Sequence, residues 1–181
     1  MLAAADALLA DADAPHTVTM DDIAAAADVG KGTLFRAFGS RDGLLDALWT
    51  GKLAALREAV EEGDAPLGPA TPSRERIVAF LDALFTFKFE NRHLIRMREK
   101  NPAGMRQAKN YKWTHGLLRS LIEDAAPTAT GDDAGYAAHV LLAALDINLI
   151  DELLATGRTL QEIRQSQAAL ARALINGAPH D

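Results

Sequence analysis

The chain has no cysteine, which rules out a disulfide framework and a thiolate metal site. No apolar run approaches the roughly 18 residues that a membrane-spanning helix needs. The opening "MLAAADALLADADAP" has no basic leader and reads as an amphipathic helix, not a signal peptide. Glycine and proline, at 13 and 7 residues, are not in excess, so wholesale disorder is not expected. Catalytic signatures are missing as well. The five histidines, at 16, 93, 115, 139 and 180, are scattered without a His-x3-His pair, and neither a phosphate loop nor a nucleophile motif is present. These absences point to a soluble cytoplasmic protein that is not an enzyme and carries no cofactor or metal.

What is there is apolar and acidic. Apolar residues make up 49% of the 181 positions, ample for a buried core, and the net charge is −6. The charge is unevenly spread. Residues 1–50 hold three cations, Lys31, Arg36 and Arg41, against eight aspartates, and the three cations all fall within 31–41. Residues 91–120 hold eight Lys/Arg and a single acid, Glu99. Two positive zones in an acidic chain each need an explanation.

Helical periodicity dominates and strand patterning is nearly absent, so the chain reads as all-α with about nine helices. The first covers about 1–12. Thr19 is an N-cap with Asp22 three residues on and Val18 placed to staple onto Ile23, opening a helix to about Ala27. "DVG" turns the chain into a third helix over about 31–38, and Ser40 caps a fourth over 41–62. The stretch "GDAPLGPATP" (63–72) is the clearest break and is taken as the boundary between domains at 1–50 and 63–181, with the 41–62 helix linking them. Thr71 and Pro72 read as a cap and a first-turn proline for the next helix, apolar nearly all round from Ile77 to Phe89. A short helix ending at Asn101-Pro102 follows, then helices over about 104–124, 133–156 and 160–176, with Thr159 and Glu162 forming a capping box for the last.

The segment "IAAAADVGKGTLFRAF" (23–38) carries the chemistry. Alanines at 24 and 27 let two helices touch, the turn is short, and Leu34 and Phe38 face inward. That is the layout of a helix-turn-helix, whose second helix enters the major groove. Lys31 at its start suits a guanine edge or a phosphate. Gly32 lets the backbone come close to the duplex, Thr33 offers a hydroxyl and a methyl, and Arg36 lies a turn further on. Ser40 and Arg41 open the next helix, whose free N–H groups suit a phosphate. On periodicity alone, an ordinary three-helix packing unit fits equally well.

The composite "TVTMDDIAAAADVGKGTLFRAFGSRDGLLDAL" resembles the N-terminal domain of the TetR/AcrR family of transcriptional regulators over about 35 residues, or about 45 with the first helix. The resemblance adds Thr19 and Phe35 to the expected DNA contacts, with Phe35 where the family commonly has tyrosine. Asp28 stands where a turn glycine is usual, and Gly30 where a serine is usual. The resemblance implies a homodimer on a palindromic operator, with a helical C-terminal body that dimerises and binds a small-molecule effector. It favours a repressor released by that effector.

The residues beyond 63 give weaker pointers. Long apolar faces over 133–156 and 160–176 suit a dimer seam. Asp146 shares a helical face with His139 and either pairs with another helix or meets a ligand. Phe85, Phe89, His93 and Met97 form one stripe if the chain bends little at Asn91, and Trp113 and Leu117 belong to another. Each stripe suits a core or a ligand pocket. The basic stretch 91–120 reads as a solvated face, as a guide for an anionic effector such as a fatty acid or acyl thioester, or as a contact with flanking DNA. A dimeric helical ligand-binding or interaction module with decayed DNA contacts is the alternative function.

Overall fold

The computed structural model describes residues 1–12, 17–98, 109–126 and 131–176. Every regular element among them is a helix, and no helix is long and apolar enough to cross a membrane. The chain forms two compact units, one from residues 1–54 and 91–105, the other from 55–90 and 106–181.

The first unit begins with α1 (Leu2–Asp11), which buries Ala5 and Leu9 one turn apart. α2 (Met20–Ala26) opens on the expected capping box: Asp22 N–H donates to Thr19 Oγ1 at 3.2 Å, and Thr19 N–H donates to Asp22 Oδ2 at 2.8 Å. These bonds stabilise the ionised carboxylate and hold the Asp22 pKa below its ordinary value. Val18 and Ile23 are both buried, as the staple requires. The exit from α2 is a Schellman turn. Val29 N–H reaches back to Ala24 O at 3.0 Å and Asp28 N–H to Ala25 O at 3.1 Å, with Asp28 left-handed at φ 51°. An aspartate serves here because its short polar side chain tolerates that conformation.

α3 (Lys31–Phe38) follows with Gly30 as an N-cap without a side-chain bond, and Gly39 closes it at φ 73°. Ser40 Oγ then accepts from Gly43 N–H at 3.1 Å and starts α4 (Arg41–Glu61). A Cβ on Gly43 would lie 2.0 Å from the Phe38 carbonyl oxygen, so only glycine permits this tight junction between α3 and α4.

α5 (Ser73–Glu90) lies in the second unit, but the chain turns at Asn91 and α6 (Arg92–Arg98) returns to the first. Leu94, fully buried, and Met97 join Leu9, Ile23, Leu34, Leu44, Leu45 and Leu48 in one core. The three short helices alone offer little apolar surface, and α6 supplies more. The compact units therefore divide differently from the expected boundary at 63, which lies inside the second unit.

In the second unit α5 buries Ile77, Phe80, Leu81, Leu84 and Phe85 against α7 (Lys109–Ala125) and α10 (Leu160–Asn176), and α7 packs on α8 (Gly131–Ala143). Pro72, not Thr71, is the residue whose carbonyl opens α5, accepting from Glu75 and Arg76 N–H at 3.0 Å each. Thr71 is buried, and its hydroxyl has no partner among the described residues. The part of the predicted 104–124 helix before Lys109, and the Asn101-Pro102 stop, lie outside the described residues.

The helix expected over 133–156 is two helices, α8 and α9 (Ile147–Ala155). Asp146 accounts for the break. Its side chain accepts from Asn148 N–H at 3.0 Å and Leu149 N–H at 3.2 Å, so it caps α9 instead of continuing α8. Side chains from two other helices close the end of α8. Lys88 Nζ donates to Leu145 O at 2.6 Å, and Gln167 Nε2 donates to Ala144 O. The predicted Thr159–Glu162 capping box is present, with Thr159 N–H to Glu162 Oε2 at 2.8 Å and Ile163 buried.

Candidate nucleic-acid interface

α3 divides cleanly between core and solvent. Leu34 is fully buried and Phe38 half-buried, while Lys31, Gly32, Thr33, Phe35, Arg36 and Ala37 are exposed. A helix with this split is held by a single apolar ridge and presents the rest outward. Phe35 is 39% exposed, a large apolar ring left on the surface beside polar neighbours. A Cβ built on Gly32 would meet nothing within 4 Å, so no internal contact demands a glycine there.

The cations are less free than the sequence suggests. Lys31 Nζ sits 2.7 Å from Asp21 Oδ1 and 2.9 Å from Oδ2, an ion pair across the α2–α3 turn. Arg36 Nε donates to Gly32 O at 3.3 Å and lies back along its own helix. Arg41 is half-buried, with Nη2 at 3.5 Å from Met97 Sδ. Thr19 and Ser40 are exposed, but their hydroxyls are engaged in capping α2 and α4. Asp21 is the residue that sequence reasoning left out of the site. Its pairing with Lys31 crosses a turn at ten residues' separation, which no helical periodicity reports.

The candidate effector residues are divided between the two units. Phe85 and Phe89 stack at 6.3 Å in the second unit, whereas His93 and Met97 belong to the first, because the chain breaks at Asn91. His93 lies 3.7 Å from Asp6, which Lys52 holds at 2.7 Å, and burial pushes the His93 imidazole below its usual pKa despite the Asp6 carboxylate. Trp113 is fixed on three sides, edge-on to Phe80 at 5.9 Å, under Arg57 at 4.6 Å and with its N–H on Glu61 at 2.9 Å. Leu117 is half-buried on α7. His139 accepts or donates at 2.7 Å to Tyr111 Oη, and its ring lies 4.0 Å from that of His115. Tyr111 and His115 were missed, although their one-turn spacing on α7 was readable. From the basic stretch, Arg119 pairs with Glu123 at 2.8 Å. An open cavity of about 1060 Å³ runs between α5 and α10, with Arg74, Asp82, Arg164, Gln165 and Arg172 in its walls. Arg164 already donates to Asp82 there through two of its guanidinium nitrogens, Nε and Nη2. Among the described residues no group of three His, Cys, Asp or Glu is placed to bind a metal.

A family match falls on the same segment. Residues 1–48 match the family described as bacterial regulatory proteins, tetR family. An uncharacterized HTH-type transcriptional regulator, YhgD of Bacillus subtilis (strain 168), is 30% identical over 83 residues, which span 46% of this chain and 42% of that protein. A crystal structure of a TetR-like transcriptional regulator from Rhodococcus sp. RHA1 superposes with a TM-score of 0.63 at 24% identity, covering 97% of this chain and 93% of that one. That likeness concerns the fold. The likeness to the tetR family of bacterial regulatory proteins is carried by residues 1–48, and the chain spans less than half the length of the curated relative it matches.

Proposed function

We propose that this protein is a homodimeric repressor that binds a palindromic DNA operator through α3 and is released from it by a small-molecule effector. The observation that carries the reading is the two-sided α3. Leu34 and Phe38 tie it to the core, and a row of exposed residues suited to groove contact, Lys31, Gly32, Thr33 and Arg36, is left outward. Thr19, Phe35, Ser40 and Arg41 flank that row as phosphate or sugar contacts. The function is non-catalytic, and its duplex partner places the protein in the cytoplasm.

Apolar residues exposed on the last helices support the dimer. Leu170 and Leu174 lie one turn apart on α10, Leu149 is on α9 and Tyr136 on α8, each exposed by 36% or more. Pairing such faces across a two-fold axis removes them from water and sets two recognition helices to read half-sites about one DNA turn apart. Phe85, Phe89, Trp113, Leu117 and His139 remain the effector candidates, all in the second unit. Asp146 is assigned to the α9 cap. The effector acts by population shift: binding that favours one spacing of the recognition helices over another changes operator affinity by that preference.

Selection from a randomised duplex pool tests the reading, followed by a salt titration on the recovered sequence. A palindrome bound with a steep inverse salt dependence is the expected result. Failure to enrich any sequence refutes DNA binding, and an operator affinity that no effector changes refutes the release mechanism.

A further inference from the structure

Between α1 and α6 the first unit holds two polar atoms that its packing does not use. Asp6 Oδ1 and His93 Nε2 are both shut off from solvent, and neither has a hydrogen-bond partner among the described residues. They face each other at 3.7 Å, too far for a hydrogen bond. The other Asp6 oxygen is held by Lys52 of α4 at 2.7 Å. Buried polar atoms left unpaired are a cost to the fold as it stands. Their position gives that cost a consequence. The chain enters the first unit at Asn91, and α6 is anchored there by Leu94 and Met97, in the same core that seats Leu34 of α3.

We propose that His93 is the sensor of an acid-operated release: its protonation, against an Asp6 carboxylate already paired with Lys52, loosens α6 from the first unit. The His93 side chain is only 19% exposed, and a proton arriving there brings a second cation to a carboxylate that already holds one. Arg92, its neighbour on α6, adds further positive charge. Burial is the largest influence, and with Lys52 and Arg92 it outweighs the attraction of Asp6, so the docked helix keeps the imidazole below its ordinary pKa. Once α6 leaves the unit, the imidazole returns to water and takes up a proton near its usual value of about 6.5. The docked state therefore binds fewer protons than the released one. Its stability is whole above about pH 6.5 and is lost as the pH falls toward the lowered docked value.

Hydrogen exchange at the backbone amides of residues 94–97, corrected for intrinsic rates, tests this in the full chain. Between about pH 7.5 and 5.5 the wild type is expected to lose protection there by up to about tenfold, the limit for one proton taken up near pH 6.5 in the released state alone. His93→Gln keeps a polar group in place but cannot become charged, so its protection stays level. The α10 amides, in the second unit, stay level in both proteins. A loss as large in His93→Gln as in the wild type overturns the proposal. So does an equal loss in α10, which marks general acid unfolding, or a wild type whose protection at 94–97 holds or rises on acidification. If His93→Gln does not fold, NMR titration of the wild-type imidazole decides, with the His93 signal assigned by elimination from variants of the other four histidines. A midpoint below about 6.5 supports the release, and one at or above it overturns it. None of these outcomes depends on the DNA-binding reading.

Discussion

Gly32→Ala separates what the fold wants at this position from what the duplex wants. Glycine inside a helix is ordinarily a cost of about 0.5–1 kcal/mol relative to alanine, because it gives up more backbone freedom on folding. Here nothing compensates within the protein: a Cβ at Gly32 meets no atom within 4 Å. Gly32 stands in the first turn of α3, where propensity counts for less than in a helix interior, so the lower end of that range applies. Alanine is therefore expected to stabilise the protein by about 0.5 kcal/mol, a rise of roughly 1–2 °C in Tm for a chain of this size. DNA binding moves the other way. A methyl group between the α3 backbone and the groove holds Lys31 and Thr33 away from the base edges, and losing one such contact costs about 1–3 kcal/mol, tenfold in Kd near the lower end of that range. Thermal melting and fluorescence anisotropy on the operator measure the two effects on one sample. An alanine variant that melts higher and binds at least about tenfold more weakly agrees with the argument. Unchanged operator affinity refutes the idea that glycine serves close approach, and a lower Tm refutes the claim that the site is empty.

Lys31→Ala is expected to weaken operator binding by roughly 1–3 kcal/mol; an unchanged Kd removes Lys31 from the interface. Asp146→Ala takes away the α9 cap and costs about 1 kcal/mol of stability without any effector present. Urea denaturation reads this directly, and an unaltered midpoint returns Asp146 to the list of effector contacts. Burial pushes the Lys88 ammonium down from 10.5 to about 8, with Asp146 pulling the other way. A lysine that holds fewer protons folded than unfolded costs stability below pH 8, and the cost is relieved as pH rises toward 10.5. Relative to Lys88→Met, the wild type is thus expected to gain about 2 kcal/mol in unfolding free energy between pH 7.5 and 10; parallel pH profiles for the two proteins refute the shift.

The parts of this molecule that could be read in advance are those governed by residues close in sequence. The Thr19–Asp22 and Thr159–Glu162 boxes each require two residues three apart, and both form as expected. The inward pair Leu34 and Phe38 is a one-turn spacing, and it alone dictates which side of α3 faces out. The misreadings share an opposite cause. Nothing in the local pattern from Asp132 to Leu154 forbids one long helix, and the apolar periodicity runs straight through residue 146. The break depends on Asp146 capping forward and on Lys88 and Gln167 arriving from α5 and α10 to take the carbonyls that α8 leaves unpaired.

The segment 92–98 is misread for a similar reason. Its apolar residues are too few to show which core they serve, and Leu94 and Met97 find that core only in the first unit. Lys31 carries the same lesson into the functional site. A cation at the start of a recognition helix is legible from sequence as a DNA contact, but its resting partner is an aspartate ten residues earlier. Charge at such an interface therefore has to be counted in pairs. Of the three cations in the first 50 residues, Lys31 rests on a carboxylate and Arg36 on a backbone carbonyl, while Arg41 lies half-buried against Met97. The electrostatic attraction available to a duplex is smaller than the cluster at 31–41 implies. Under the proposed DNA-binding reading, discrimination accordingly rests more on contacts at the base edges than on attraction to the DNA backbone.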